Sequence, residues 1–377
     1  MGQGDRYKAF RRQTTYNCHT ASVIEMRRYV FAFIIFCFIQ SAFGQAEPLT
    51  QAEFTKMIYG VRKGEVSKAD VVEALRKRGI DFVVTDGIRG FTRSNTANDD
   101  ELKRALDEAG RRKDNPVAAK LPSEKEGAEG LEKARKNTLD AVEEMPDFVV
   151  KQQIQRSAAY AGTGNFTNLD RLVVSVSYRS TGQEDYRLLT VNGIIQNNVQ
   201  SKQSYEGAGG TSSTGEFVTV LATIFKPESE TKFAIVDTDV IRERKALVYE
   251  FSISKEKAHE VITASGVSTE STIAGMKGRI WVDRESFRVL RIESESTEIP
   301  DTFPVRTAKR NIDYDWVKIT DEKYLLPSLS DVRLTMREKS KVYESRNVIR
   351  FKDYQKYGSD VKILDDDIKP DPAPIKP

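Results

Sequence analysis

Cysteine and histidine are nearly absent, with two of each in 377 residues. Both cysteines, Cys18 and Cys37, precede a predicted cleavage point. The mature chain would then hold no disulfide and would rely on the size of its core. One histidine, His259 in "SKEKAHEVITA", lies beyond that point and reads as a solvated residue on a helical turn. With no cysteine and one histidine, a His/Cys zinc site is excluded. Phosphate and acyl-transfer motifs are missing too. Gly207-Ala208-Gly209-Gly210-Thr211-Ser212-Ser213 lacks the G-K-[ST] ending of a phosphate loop and the G-x-S-x-G of a nucleophile elbow, so it reads as a hinge. Carboxylate pairs such as Asp313 with Asp315 or Glu293 with Glu295 read as solvated strand edges. No enzyme, metal or cofactor is expected.

Charge of one sign is also lacking. The formal net charge is +3, and residues 1–44 hold six Lys/Arg against Asp5 and Glu25. Without that segment the chain is close to neutral. No clustered basic face remains, so no nucleic-acid partner is expected.

Long apolar runs are absent apart from Tyr29–Ile39, which falls short of the roughly 20 residues a spanning helix needs. It follows Arg27-Arg28 and precedes the small-x-small site Ala42-Phe43-Gly44. These are the parts of a signal peptide over 26–44, cleaved between Gly44 and Gln45. Residues 1–25, ahead of Met26, read as an upstream-start extension. A periplasmic or secreted location follows; an uncleaved N-terminal anchor is the alternative. Cys37 lies between Phe36 and Phe38, where lipidation is not expected.

What is present divides into helical and β patterns. Residues 49–110 predict a small helical module. Thr50 with Glu53 and Ser67 with Asp70 form capping boxes, each followed by an apolar stripe. Gly79 stops the second helix. Asn98 with Glu101 opens a third, carrying Leu102, Ala105, Leu106 and Ala109, and Gly110 closes it. Residues 111–127, charged and with two prolines, predict a linker. The module is expected to fold apart. A helix then runs from about Ala128 to Met145, and Pro146 ends it. Period-two alternation begins at Asp147. The 364–377 segment, "DDDIKPDPAPIKP" in its main part, predicts a disordered tail.

The strands are serial and joined by turn residues, which predicts antiparallel pairing. In Gly278–Ser296, a loop at Asp283–Ser286 sets Val282 opposite Phe287 and Ile280 opposite Val289. All four share an apolar face. Trp281 and Arg288 pair on the other. Val332, Leu334 and Met336 alternate with polar residues in the same way. A helix near 213–225, capped by Ser213 with Glu216, is apolar nearly all round through Phe217, Val218, Val220, Leu221, Ile224 and Phe225. It predicts a cover buried on more than one side. The fold class expected is α+β: a curved antiparallel sheet, or half-open β-barrel, over 128–363, covered by helix and preceded by the all-α module.

Two resemblances add to this reading. "RKRGIDFVVTD" followed by "DDELKRALDEAG" resembles a small helical module of soil-bacterial multidomain proteins, which implies a packing or docking role and a protein partner. Gly278-Arg279-Ile280-Trp281-Val282-Asp283, Arg291-Ile292-Glu293, Tyr314 with Val317, Tyr324-Leu325-Leu326-Pro327, and Phe351 with Tyr354 resemble the LolA-like superfamily in order and spacing. That superfamily includes carriers that sort lipoproteins and hold acyl chains in an apolar half-barrel closed by helices. The resemblance implies a lipid, lipoprotein acyl chain or other apolar ligand, and peripheral membrane contact. The expected ligand-binding residues are Ile280, Val282, Phe287 and Val289, with Phe217 and Leu221 from the helix. The alternative is a non-catalytic envelope scaffold whose half-barrel is filled by its own side chains.

Overall fold

The computed structural model describes residues 47–117, 119–196, 210–258, 260–265, 269–338, 340–359 and 362–368. The signal segment, with Gly44 and Gln45, and His259 lie outside them.

Four helices open the described chain: α1 (Gln51–Lys63), α2 (Lys68–Arg78), α3 (Asp86–Asn95) and α4 (Asp100–Asp114). The first two start where the sequence places them. Thr50 and Glu53, and Ser67 and Asp70, satisfy each other's orphan amides as capping boxes. Ser67→Ala is expected to lower stability by about 1 kcal/mol, measurable by urea unfolding; a loss below a few tenths would mean that the cap is redundant. The sequence pattern misses α3, because Gly87 and Gly90 interrupt it and its cap is Thr85 alone, accepting from the Ile88 amide. The next helix begins one residue later than expected. Asp99 is its cap, while Ala97 and Asn98 take left-handed turns. Gly110 does not stop it. A Cβ there would lie 3.0 Å from Val84, so the glycine lets α4 approach the loop that holds it. Leu49, Phe54, Ile58, Leu75, Leu102 and Leu106 close a small core of their own.

Among the described residues, twelve strands form one open antiparallel sheet. They are β1 (Phe148–Tyr160), β2 (Thr167–Tyr178), β3 (Glu184–Val191), β4 (Ile194–Ile195), β5 (Lys232–Ile241), β6 (Arg244–Ile253), β7 (Glu260–Ser265), β8 (Thr269–Asp283), β9 (Val289–Thr297), β10 (Val305–Ile319), β11 (Glu322–Glu338) and β12 (Lys341–Lys356). Their order is β4-β3-β2-β1-β12-β11-β10-β9-β8-β6-β5, with β7 paired to β8 as a side arm. The expected α+β class and curved half-barrel are therefore present. The long helix α5 (Glu124–Glu143) and the short α6 (Thr219–Phe225) cover the concave face. Two small helical turns, α7 (Lys255–Ala258) and α8 (Asp365–Ile368), complete the fold.

Further expectations need correction. The 111–127 segment is not a free linker. Arg111 and Arg112 extend α4 and bind Asp239 and Asp237 of β5, so the charged run is an interface, and Pro48–Pro377 form one compact unit. The helix expected from Ser213 starts only at Thr219. Ser213 bonds the Glu216 carboxylate side chain to side chain, and Val218 caps without a side-chain bond. The tail from 364 is not wholly unstructured. Asp367 of α8 is fully buried, 2.6 Å from Lys151 and 2.7 Å from Gln153.

The hairpin register differs as well. Val282 pairs with Val289 and Ile280 with Ile292, across a bulge beside Trp281. The turn spans more residues than expected, and Phe287 sits inside it at φ 51°. Trp281 faces Arg291 instead of Arg288, whose guanidinium lies over Trp316.

Candidate ligand site on the concave face

Alternation gives the sheet two distinct surfaces. On β10, Ile312 and Tyr314 point to the concave side, where the Tyr314 hydroxyl donates to the Glu216 carbonyl at 3.3 Å. Most of this side is filled. Helix α5 comes close because it presents glycines: a Cβ on Gly130 would lie 2.9 Å from the Tyr249 hydroxyl, and Tyr249 donates to the Gly127 carbonyl at 2.8 Å. Burial pushes the Tyr249 phenol up to about 12, so it stays a donor. Val220, Leu221, Ile224 and Phe225 of α6 pack into the same core.

The six residues expected to bind ligand lie in or beside this packing. Ile280, Val282 and Val289 belong to the core beneath α5 and α6, as does Leu221. Phe217 belongs to a second core, edge-on to Phe148 at 5.3 Å and to Phe351 at 5.5 Å. Phe287 is half-buried in the hairpin turn, with Lys133 Nζ 4.8 Å from its ring centre. None of the six lines the open space on this face. Two helices fill the region that the sequence reading assigned to one.

The open space is displaced toward the β7 arm. A cavity of about 340 Å³ lies between the start of α6, the arm and the strands β8, β10 and β11. Val220, Ile262, Met276, Ala308, Val332 and Leu334 form its apolar wall. Ser212, Ser213, Thr214, Thr219, Thr223 and Thr263 ring it with hydroxyl-bearing residues, and Arg310, Lys309 and Glu260 are its charged residues. The Val332/Leu334 half of the wall was legible as strand alternation. Arg310 was missed because a cation on an inward-facing position looks the same in sequence as one on a solvated face.

The segment over this cavity is fixed on its far side by buried acids. Glu216 is fully buried, and Glu184 accepts from the Gly215 amide at 3.2 Å and from the Tyr186 hydroxyl. Burial raises the Glu184 carboxyl above its ordinary value, and the neighbouring Glu216 adds to this.

The opposite, convex face is polar and carries the helical module. Arg104 meets Glu293 at 2.8 Å, and Asp100 is held by Arg333 and Arg346. A cleft of about 680 Å³ remains between module and sheet, lined by both charge signs in near balance. Burial, with Glu293 nearby, lifts the Glu108 carboxyl of α4 to about 7. Among the described residues, no group of three or more His, Cys, Asp or Glu is placed to hold a metal ion.

Fold and cavity together define a half-open barrel with a small amphipathic recess. No family model matches the chain, and no curated protein matches it. Similar solved structures include a LolA superfamily protein from Nitrosomonas europaea, 12% identical with TM-score 0.25, covering 63% of this chain and 97% of that one. A DUF1329 family protein from Desulfovibrio piger is 11% identical with TM-score 0.25, covering 64% of this chain and 96% of that one. Likeness at this level carries no functional weight, so function has to come from the geometry of the chain itself.

Proposed function

We propose that the protein is an exported, non-catalytic binding protein of the cell envelope that takes an apolar ligand, such as a lipid or lipoprotein acyl chain, into the concave-face cavity. The observation that supports it most is the apolar wall of Val332, Leu334, Met276 and Ile262 around about 340 Å³ of open space, within the size range of ligand pockets. The start pattern of residues 26–44 supports export. Among the described residues, no helix is long and apolar enough to cross a membrane. Val261 and Ile273, exposed cross-strand partners on the arm beside the cavity, are where it would touch a membrane surface. Arg111 and Arg112 of α4 contact Asp239 and Asp237 of β5 within the chain.

The packed core under α5 favours a second reading, a scaffold with a filled half-barrel. Val332→Trp separates the two. The carrier reading expects wild-type protein to take up an environment-sensitive fluorescent fatty acid, and the variant to bind it at least tenfold more weakly with little change in melting temperature. The scaffold reading expects no uptake by the wild type and an overpacking cost of about 1–3 kcal/mol in the variant. Equal uptake by both proteins would place the ligand elsewhere.

A further inference from the structure

We infer that the cavity takes a single medium-length acyl chain with an anionic head, and that the head sits on Arg310. This rests on reading the concave face as a ligand site, and it adds the ligand's size and charge.

Size comes from the volume. At about 30 Å³ for each water-sized group, a cavity of about 340 Å³ holds on the order of ten methylenes. That suits one chain and leaves no room for the second or third of a multiply acylated lipid.

Charge comes from Arg310. It has the same strand parity as Ile312 and Tyr314, so it is a cation on the concave face, pairing across the sheet with Val332 of the apolar wall. Its Nε is buried without a hydrogen-bond partner. The nearest carboxylate, Glu260, stands 3.9 Å from the guanidinium, beyond hydrogen-bond reach, and its other oxygen already accepts from the Ser296 hydroxyl at 3.0 Å. Lys309, one residue away, also borders the cavity but has opposite strand parity, and its ammonium stands 3.7 Å from Glu101 and 3.9 Å from Glu295 on the convex face. A guanidinium fork matches the paired oxygens of a carboxylate or phosphate, and partial burial strengthens the contact. Thr219 and Thr223 border the same cavity and bring hydroxyl groups to it.

Calorimetry on the chain from Gln45 onward tests this with decanoate, decyl phosphate, 1-decanol, decyltrimethylammonium and dioctanoyl phosphatidic acid. At least one single-chain anion is expected to bind tenfold or more tightly than 1-decanol, and whichever of the two binds better identifies the head as carboxylate or phosphate. Arg310→Gln should erase that preference and leave 1-decanol affinity unchanged. Arg310→Lys should keep part of it, and it carries the test if the glutamine variant does not melt like wild type. The assignment is overturned if Arg310→Gln keeps the preference, if decyltrimethylammonium matches the anions, or if the two-chain phosphatidic acid binds as well as one chain. Binding of 1-decanol with no anionic preference would leave the apolar reading standing and remove only the head. No binding of any probe, 1-decanol included, would remove both.

Discussion

Asp239→Ala is expected to lower the unfolding free energy by about 3 kcal/mol, the low end of what breaking a buried ion pair costs. The carboxylate is 2% exposed. It accepts from Arg111 Nε at 2.8 Å and Nη2 at 2.9 Å, and from the Trp281 indole at 3.0 Å. Removing it strands a guanidinium and an indole N–H at once. Arg111 is about one-third exposed and can partly rehydrate, which holds the cost down. Protease cutting between 115 and 123 gives a second readout. In the wild type the two fragments should co-elute on gel filtration, because α4 stays docked on β5; in the variant they should separate. A cost below about 1 kcal/mol, or separation already in the wild type, would return the module to the independent unit that its sequence suggests.

The second large effect lies at the other end of the described chain. Asp367→Ala should cost about 3 kcal/mol, since it leaves the buried Lys151 ammonium with one partner, Asp353 at 2.9 Å. Burial alone would raise the Asp367 carboxyl. The Leu364 amide, Lys151 and Gln153 donate to it and hold it below its ordinary value. Burial alone would likewise lower Lys151, but Asp353 and Asp367 hold it above its usual range. A depressed acid stabilises fully above its unfolded pKa and loses that contribution as pH falls through the folded one. The gap between wild type and variant should therefore be whole above the ordinary aspartate value of 3.8 and close below it. The Lys151 contribution fades in the other direction, as pH rises through its raised value. Urea unfolding across pH 2–7, a range chosen to bracket the carboxylates, checks this. A gap that stays constant on acidification would mean that Asp367 has the same pKa folded and unfolded, and a gap that widens would mean that it is neutral in the fold.

The residues whose placement was legible are those whose signals are local. Thr50 with Glu53 and Ser67 with Asp70 announce helix starts because the capping partners are three residues apart. Val332 and Leu334 announce a buried face because a strand alternates. The docking of Arg111 on Asp239 spans 128 positions, and nothing near either residue marks the other as its partner. A charged run beside proline reads as solvated until its complement is known. The hairpin failed for a smaller reason: the bulge beside Trp281 shifts the register, and no glycine there signals it. The cavity was misplaced because helical covers were judged by their own apolar residues, whereas α5 gains its contact through Gly127 and Gly130, which carry no side chain to be read.

The pairing of β1 with β12 governs how the domain can assemble. Ser157 meets Arg346 across 189 positions, while the neighbouring pairs β1 with β2 and β11 with β12 are local hairpins. A chain can form those hairpins early, but the two halves of the sheet join only when the last long strand arrives. Loop-closure entropy has to be overcome before that ladder gives anything back, which places folding among the slower, high-contact-order topologies. A chain halted before Lys341 would leave both β1 and β11 with bare edges, and bare edges template intermolecular pairing. The final strand therefore does more than complete a sheet. Its arrival covers two long edges at which the incomplete chain would pair with copies of itself.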